Sequence, residues 1–177
     1  MRRDASIEEL VLGWPETPSA SAKTVTRKYG LPDEATESFL IWHQRAPWKR
    51  MVLWRDEVDH AFPMPHKDVL EQVIDFRVPP ESASELVRFD GSIVVERTRG
   101  ELSARCEGEE ANVLAFNLAY RIITGELDAT GARETYTDAM KRFSAGEMPE
   151  LMGELAFSVP HGGTADEDVP TIDGHGT

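Results

Sequence analysis

The chain has 177 residues, 40% of them hydrophobic, which suits one domain with a sizeable core. A formal net charge of −13 disfavours broad contact with nucleic acid or an anionic membrane, and no apolar run reaches the roughly eighteen residues of a spanning helix. The opening MRRDASIEEL lacks the apolar stretch of a secretory signal and the single cysteine, Cys106, permits no intrachain disulfide, so a cytoplasmic protein is expected.

In chain order, Ser6 and Glu9 form a capping box that opens a short helix, ended by Trp14-Pro15. Thr17-Pro18 then gives an N-cap and a first-turn proline for a helix over 18–29, with Ala22, Val25 and Tyr29 on one face and Gly30 as its stop. After the turn at Gly30-Leu31-Pro32-Asp33-Glu34, TESFLIWH and KRMVLWRD read as two strands of a hairpin joined by RAPW. This helix, turn and strand unit resembles the opening of BamE-type envelope lipoproteins. The resemblance covers that unit alone, and this sequence lacks the export signal and lipidated cysteine of those proteins.

Leu70 to Val78 alternates, with Leu70, Ile74, Phe76 and Val78 set against Glu71, Asp75 and Arg77, as a half-buried strand does. Ser82 and Glu85 suggest a second capping box and a short helix ending near Asp90-Gly91. SIVVERTRGELSARC is a hairpin turning at Arg99-Gly100, which puts Ile93, Val95, Leu102, Ala104 and Cys106 on one face. The 109–124 segment is apolar around most of its circumference, so it is a helix buried on several sides; 129–144 carries one stripe, and 148–157 adds a turn or two. Strands joined by short turns, with helices gathered at the ends, predict an α+β fold: a mostly antiparallel sheet of about five strands with helices on one face. Residues 1–158 form the single domain; 159–177, acidic and Gly-rich, read as a flexible tail.

The densest chemistry lies at 55–68, RDEVDHAFPMPHKD. His60 and His66 offer nitrogen, and Asp56, Glu57, Asp59 or Asp68 offers oxygen, a set that suits zinc, iron or manganese. The spacing opposes a shared ion. With Pro63 and Pro65 between them, an extended path at about 3.1 Å per residue separates the histidines by roughly 19 Å, whereas ligands of one ion need Cα atoms within about 12–13 Å. Only a turn, with a cis proline, closes that gap. The stretch therefore reads as a crossover loop, with Phe62 and Met64 leaning on the core.

Two further sets can meet a partner. Arg45, Trp48, Lys49 and Arg50 combine cations with an aromatic ring, as interface hot spots do; the alternative is that Trp48 folds back onto the sheet and the charges are solvated. Arg97 and Arg99, with Arg105 near, could hold an anion at a hairpin tip; the alternative is cross-strand pairing of Glu96 and Glu101 with Arg105, the tip charges being solvated. Cys106 with His43 as base has no spacing to support it, and no Gly-x-Ser-x-Gly elbow, HExxH pattern or Gly-rich phosphate loop is present. The first expectation is thus a non-catalytic module that binds another protein or a second copy of itself. The second is a metal-assisted hydrolase or lyase on the His60/His66 loop, with Asp56, Glu57 or Glu71 as base.

Overall fold

The computed structural model describes residues 6–172. Helices α1 (Ile7–Leu10) and α2 (Glu16–Tyr29) precede β1 (Glu34–Ala35), β2 (Phe39–Arg45), β3 (Trp48–His60) and β4 (His66–Asp75). A turn of 3-10 helix at Pro80–Ser82 leads into α3 (Ala83–Phe89), β5 (Ile93–Glu96) and β6 (Glu101–Cys106), and α4 (Glu109–Ile123), α5 (Ala129–Ser144) and α6 (Glu150–Gly153) complete the order. The sheet runs β1-β2-β3-β4-β6-β5 with every neighbouring pair antiparallel, an α+β fold with six strands. The strand beyond the expected five is β1, two residues long. No helix among the described residues is long and apolar enough to cross a membrane.

Register decides which side chains form the core. Trp42 lies opposite Met51, Met51 opposite Gln72 and Gln72 opposite Ala104, so one face carries Leu40, Trp42, Met51, Leu53, Leu70, Ile74, Leu102 and Ala104, all buried. The α2 and α4 helices cover this face. α4 is buried from Ala111 to Ala119, as its apolar circumference requires, because α3, α5 and α6 contact it as well. The β5–β6 hairpin has the expected register, Val95 opposite Leu102 and Ile93 opposite Ala104. The opposite face is closed by ion pairs: Arg50 to Glu101 at 2.9 Å, Lys49 to Asp75 at 2.7 Å and to Glu101 at 2.9 Å. Ser103 donates to Glu71 at 2.9 Å beside them.

Local differences from the sequence reading have physical causes. The Ser6–Glu9 capping box forms. The one at Ser82 does not, because the 3-10 turn leaves Ser82 in helical geometry; Glu85 instead accepts from Ala129 N at 3.0 Å and from Arg88. In the stretch read as a tail, Thr164 Oγ1 donates to Gly100 O at 2.8 Å, and Arg77 donates to the carbonyls of Thr164 and Ala165. Residues 173–177 lie outside the described residues.

Candidate metal centre

The 55–68 stretch is mostly sheet. β3 and β4 form one long hairpin whose connection, 61–65, includes a cis Phe62–Pro63 peptide bond and sets His60 directly opposite His66. The extended path expected from the prolines is not adopted: the imidazole centroids are 4.9 Å apart. Phe62 secures the turn. Its ring lies 5.2 Å from that of Tyr136, and the Arg133 guanidinium stacks 3.7 Å over it. Met64, expected beside it on the core, is exposed.

A register shift selects the face. Between Leu53↔Leu70 and Val58↔Asp68, β3 advances five residues while β4 advances two. The odd difference turns His60 to the face that carries His66, Asp68 and Leu70. Without it, His60 would point away. Asp56 and Glu57 fall in the irregular segment, outside the group of converging ligand atoms, with Asp56 exposed.

One ligand atom from each of His60, His66 and Asp68 lies within 4.8 Å of the others. Asp68, 2% exposed, is the centre: Oδ2 is 3.2 Å from His60 Nδ1 and Oδ1 is 3.1 Å from His66 Nε2. Ser92 Oγ donates to Oδ2. Oδ1 has no aligned donor among the described residues and stays without a hydrogen bond. His66 Nδ1 donates to Met64 O at 2.9 Å, which leaves Nε2 facing Oδ1 and, at 3.4 Å, Cys106 Sγ. Contact with Asp68 first, then with Cys106, pushes the His66 imidazole up to about 11. Burial works to raise the Asp68 carboxyl, but the close approach of His66, hydrogen bonding from Ser92 and the charge of His60 hold it below its ordinary range. Asp90, 3.8 Å from His60 Nε2, is raised by burial.

Beside the cluster lies a cavity of about 520 Å³, within the size range of small-molecule sites. His66, Cys106 and Tyr136 line it, together with one side of α2, the start of α4 and the end of α5. α2 presents Thr17, Ala20, Ser21 and Thr24 to it, small side chains that leave the space unfilled.

The other sequence candidates are already engaged. Trp48 is 2% exposed, packs 5.6 Å from Phe116 and donates to the Tyr29 hydroxyl at 3.0 Å, so it is core. Arg45 binds Asp33 at 2.9 Å, while Lys49 and Arg50 belong to the Glu101 network. Arg97 pairs with Asp166 and Asp168 at 2.6 and 2.9 Å, and Arg99 lies 3.4 Å from Glu96. His43 pairs with Glu34 at 2.6 Å and does not meet Cys106. Glu71 faces away from the cavity, toward Ser103. Sequence reasoning missed Ser92, Asp90 and Tyr136, which arrive from remote segments and carry no motif, and it missed His66 as the neighbour of Cys106.

Comparison of the chain with protein-family models, with curated proteins and with solved structures found no match.

Proposed function

We propose that the protein is a metal-dependent enzyme, a hydrolase or lyase, whose divalent ion is held by His60, His66 and Asp68. The observation that supports the reading is the convergence of two imidazoles on one buried carboxylate, His66 at Oδ1, which has no hydrogen-bond partner, and His60 at Oδ2. Ligand atoms around a tetrahedral ion with bonds of 2.0–2.1 Å stand about 3.3 Å apart; His66 lies 3.1 Å from Oδ1 and His60 3.2 Å from Oδ2, and one ligand atom from each of the three residues lies within 4.8 Å of the others. His66 donates its other ring nitrogen to a backbone carbonyl, which fixes ring and tautomer as ligating histidines require. Two histidines and one carboxylate leave a coordination position open, and a metal there activates water. The chain's own residues orient the ligands, through Ser92 on Asp68 and Met64 on His66, and shield them under Phe62 and Tyr136. The first expectation from the sequence, an interaction module anchored on Trp48, loses its anchor to the core.

The test is metal content and spectroscopy on protein purified without chelator. One divalent transition metal per chain is expected, lost in His60→Ala/His66→Ala and bound at least about a hundredfold more weakly by Asp68→Asn. In the cobalt-substituted protein, azide should shift the visible bands if a position is open. A folded protein that takes up no zinc, iron(II) or manganese would sink the reading; a cobalt spectrum indifferent to azide would remove the catalytic part of it.

A further inference from the structure

We infer that the 520 Å³ cavity takes an amphipathic primary amine, with an apolar body and a cationic head, and rejects carboxylates and phosphates. This rests on the reading above for the reaction but not for the binding, because the cavity and its charges stand without a metal.

The apolar body is specified by the walls. Val25, Leu70, Met140 and Phe143 give carbon surface along its length, while Ala20 and Ser21 keep it open. A small alkyl chain buried there leaves water without losing hydrogen bonds, the dominant favourable term for such sites.

The head group follows from charge accounting. Lys28 is the one side-chain ammonium on the wall among the described residues, and Glu109 Oε1 already binds it. The Glu109 carboxylate also accepts from Tyr29 at 2.9 Å and Gln72 at 3.2 Å, so it is fully engaged. His66 faces Asp68. The open end of α4 carries a partial positive charge of about half a unit, which reduces but does not cancel the charge of Glu110 in its own first turn. Glu107 and Glu110 remain, both on the wall and neither with an ion-pair partner among the described residues. Counting His66 as charged, with its Asp68, the groups around the cavity sum to a negative field, which attracts an ammonium and repels an anion.

Calorimetry with three eight-carbon probes tests this: octylamine, octanol and octanoate, at pH 7 and low salt, on protein as purified and after dialysis against chelator. Octylamine should bind about tenfold more tightly than octanol and more tightly still than octanoate, with or without chelator. Glu107→Gln/Glu110→Gln should bring octylamine to within about twofold of octanol. Met140→Trp and, independently, Ala20→Trp on the exposed side of α2 should weaken all three; amide NMR spectra identify any variant that has lost the fold. Octanoate binding as tightly as octylamine overturns the inference. So does an amine preference that survives the double glutamine variant, or no binding by any probe. Metal loss that leaves octylamine affinity unchanged separates the failure of one reading from the failure of the other.

Discussion

Glu101 is a carboxylate 5% exposed at its side chain, on the sheet face away from the helices, and Arg50 and Lys49 close over it. Burial alone would raise its pKa. The hydrogen bonds and charges of Arg50 and Lys49 outweigh burial and hold it below its ordinary 4.5. A depressed folded value means stability that is present above the unfolded value and lost as pH falls through the folded one. Glu101→Gln should therefore cost about 2 kcal/mol at pH 7, because two cations lose their charged acceptor. The difference from wild type should begin to narrow as pH drops below about 4.5, where the unfolded carboxyl takes up its proton, and close only once pH falls through the depressed folded value. Urea titrations at several pH values read this directly; a constant gap down to pH 3 would mean that packing, not charge, is what Glu101 supplies. Glu101 and Trp48 also mark a limit of reading single residues. Alternation put Glu101 on the face opposite Leu102 and Ala104, and cation–aromatic composition left Trp48 open between an interface and the sheet. Both are buried, because charged stems can roof a sheet and because Phe116 and the Tyr29 hydroxyl, both remote in sequence, hold the indole.

At the scale of elements, helix starts were legible only where backbone geometry agreed with the motif. Asp128 caps α5, its Oδ1 accepting from Gly131 N at 2.8 Å. Asp128→Ala should cost about 1 kcal/mol. Ser82→Ala should change stability by less than about 0.5 kcal/mol, since that hydroxyl caps nothing; equal losses in the two variants would refute the distinction. The β5–β6 register was legible because its apolar set is consistent with one turn only. The candidate metal centre was not, and the reason lies in β3. Period-two reasoning carried on from Leu53 points His60 away from His66, and the three-residue register excess that reverses it leaves no signature in composition. β4 was readable further back than it was read: Asp68 and His66 continue the inward parity of Leu70, but two nearby prolines argued for a loop. Phe62 is what makes that turn an element. Phe62→Ala should leave the protein folded and lower its metal affinity ten- to a hundredfold, measured by competition with a chromophoric chelator. Unchanged affinity would mean that the hairpin holds its histidines without the aromatic clamp.

Over the whole molecule, charge is distributed against stability. The formal net charge is −13, and residues 145–177 contain seven acidic and no basic side chains. Part of that segment returns to the hairpin tip, where Arg97 meets Asp166 and Asp168, but these groups are exposed and such pairs contribute little. Self-repulsion among unpaired carboxylates acts over the entire surface and opposes the compact state. The two effects respond to salt with opposite signs: screening weakens exposed pairs and relieves repulsion. At about 0.1 M ionic strength the screening length is about 10 Å, and it falls to about 3 Å at 1 M. Repulsion, summed over many charges, should dominate, so Tm should rise by several degrees across that range. A variant with Glu8, Glu37, Asp138 and Glu154 replaced by their amides tests the cause, since all four are exposed and none makes an ion pair among the described residues. It should start at a higher Tm in low salt and respond less to added salt. If it gains nothing in low salt, the acidic surface is not what limits stability, and the buried Glu101 network, poorly screened at any salt concentration, becomes the electrostatic feature that matters.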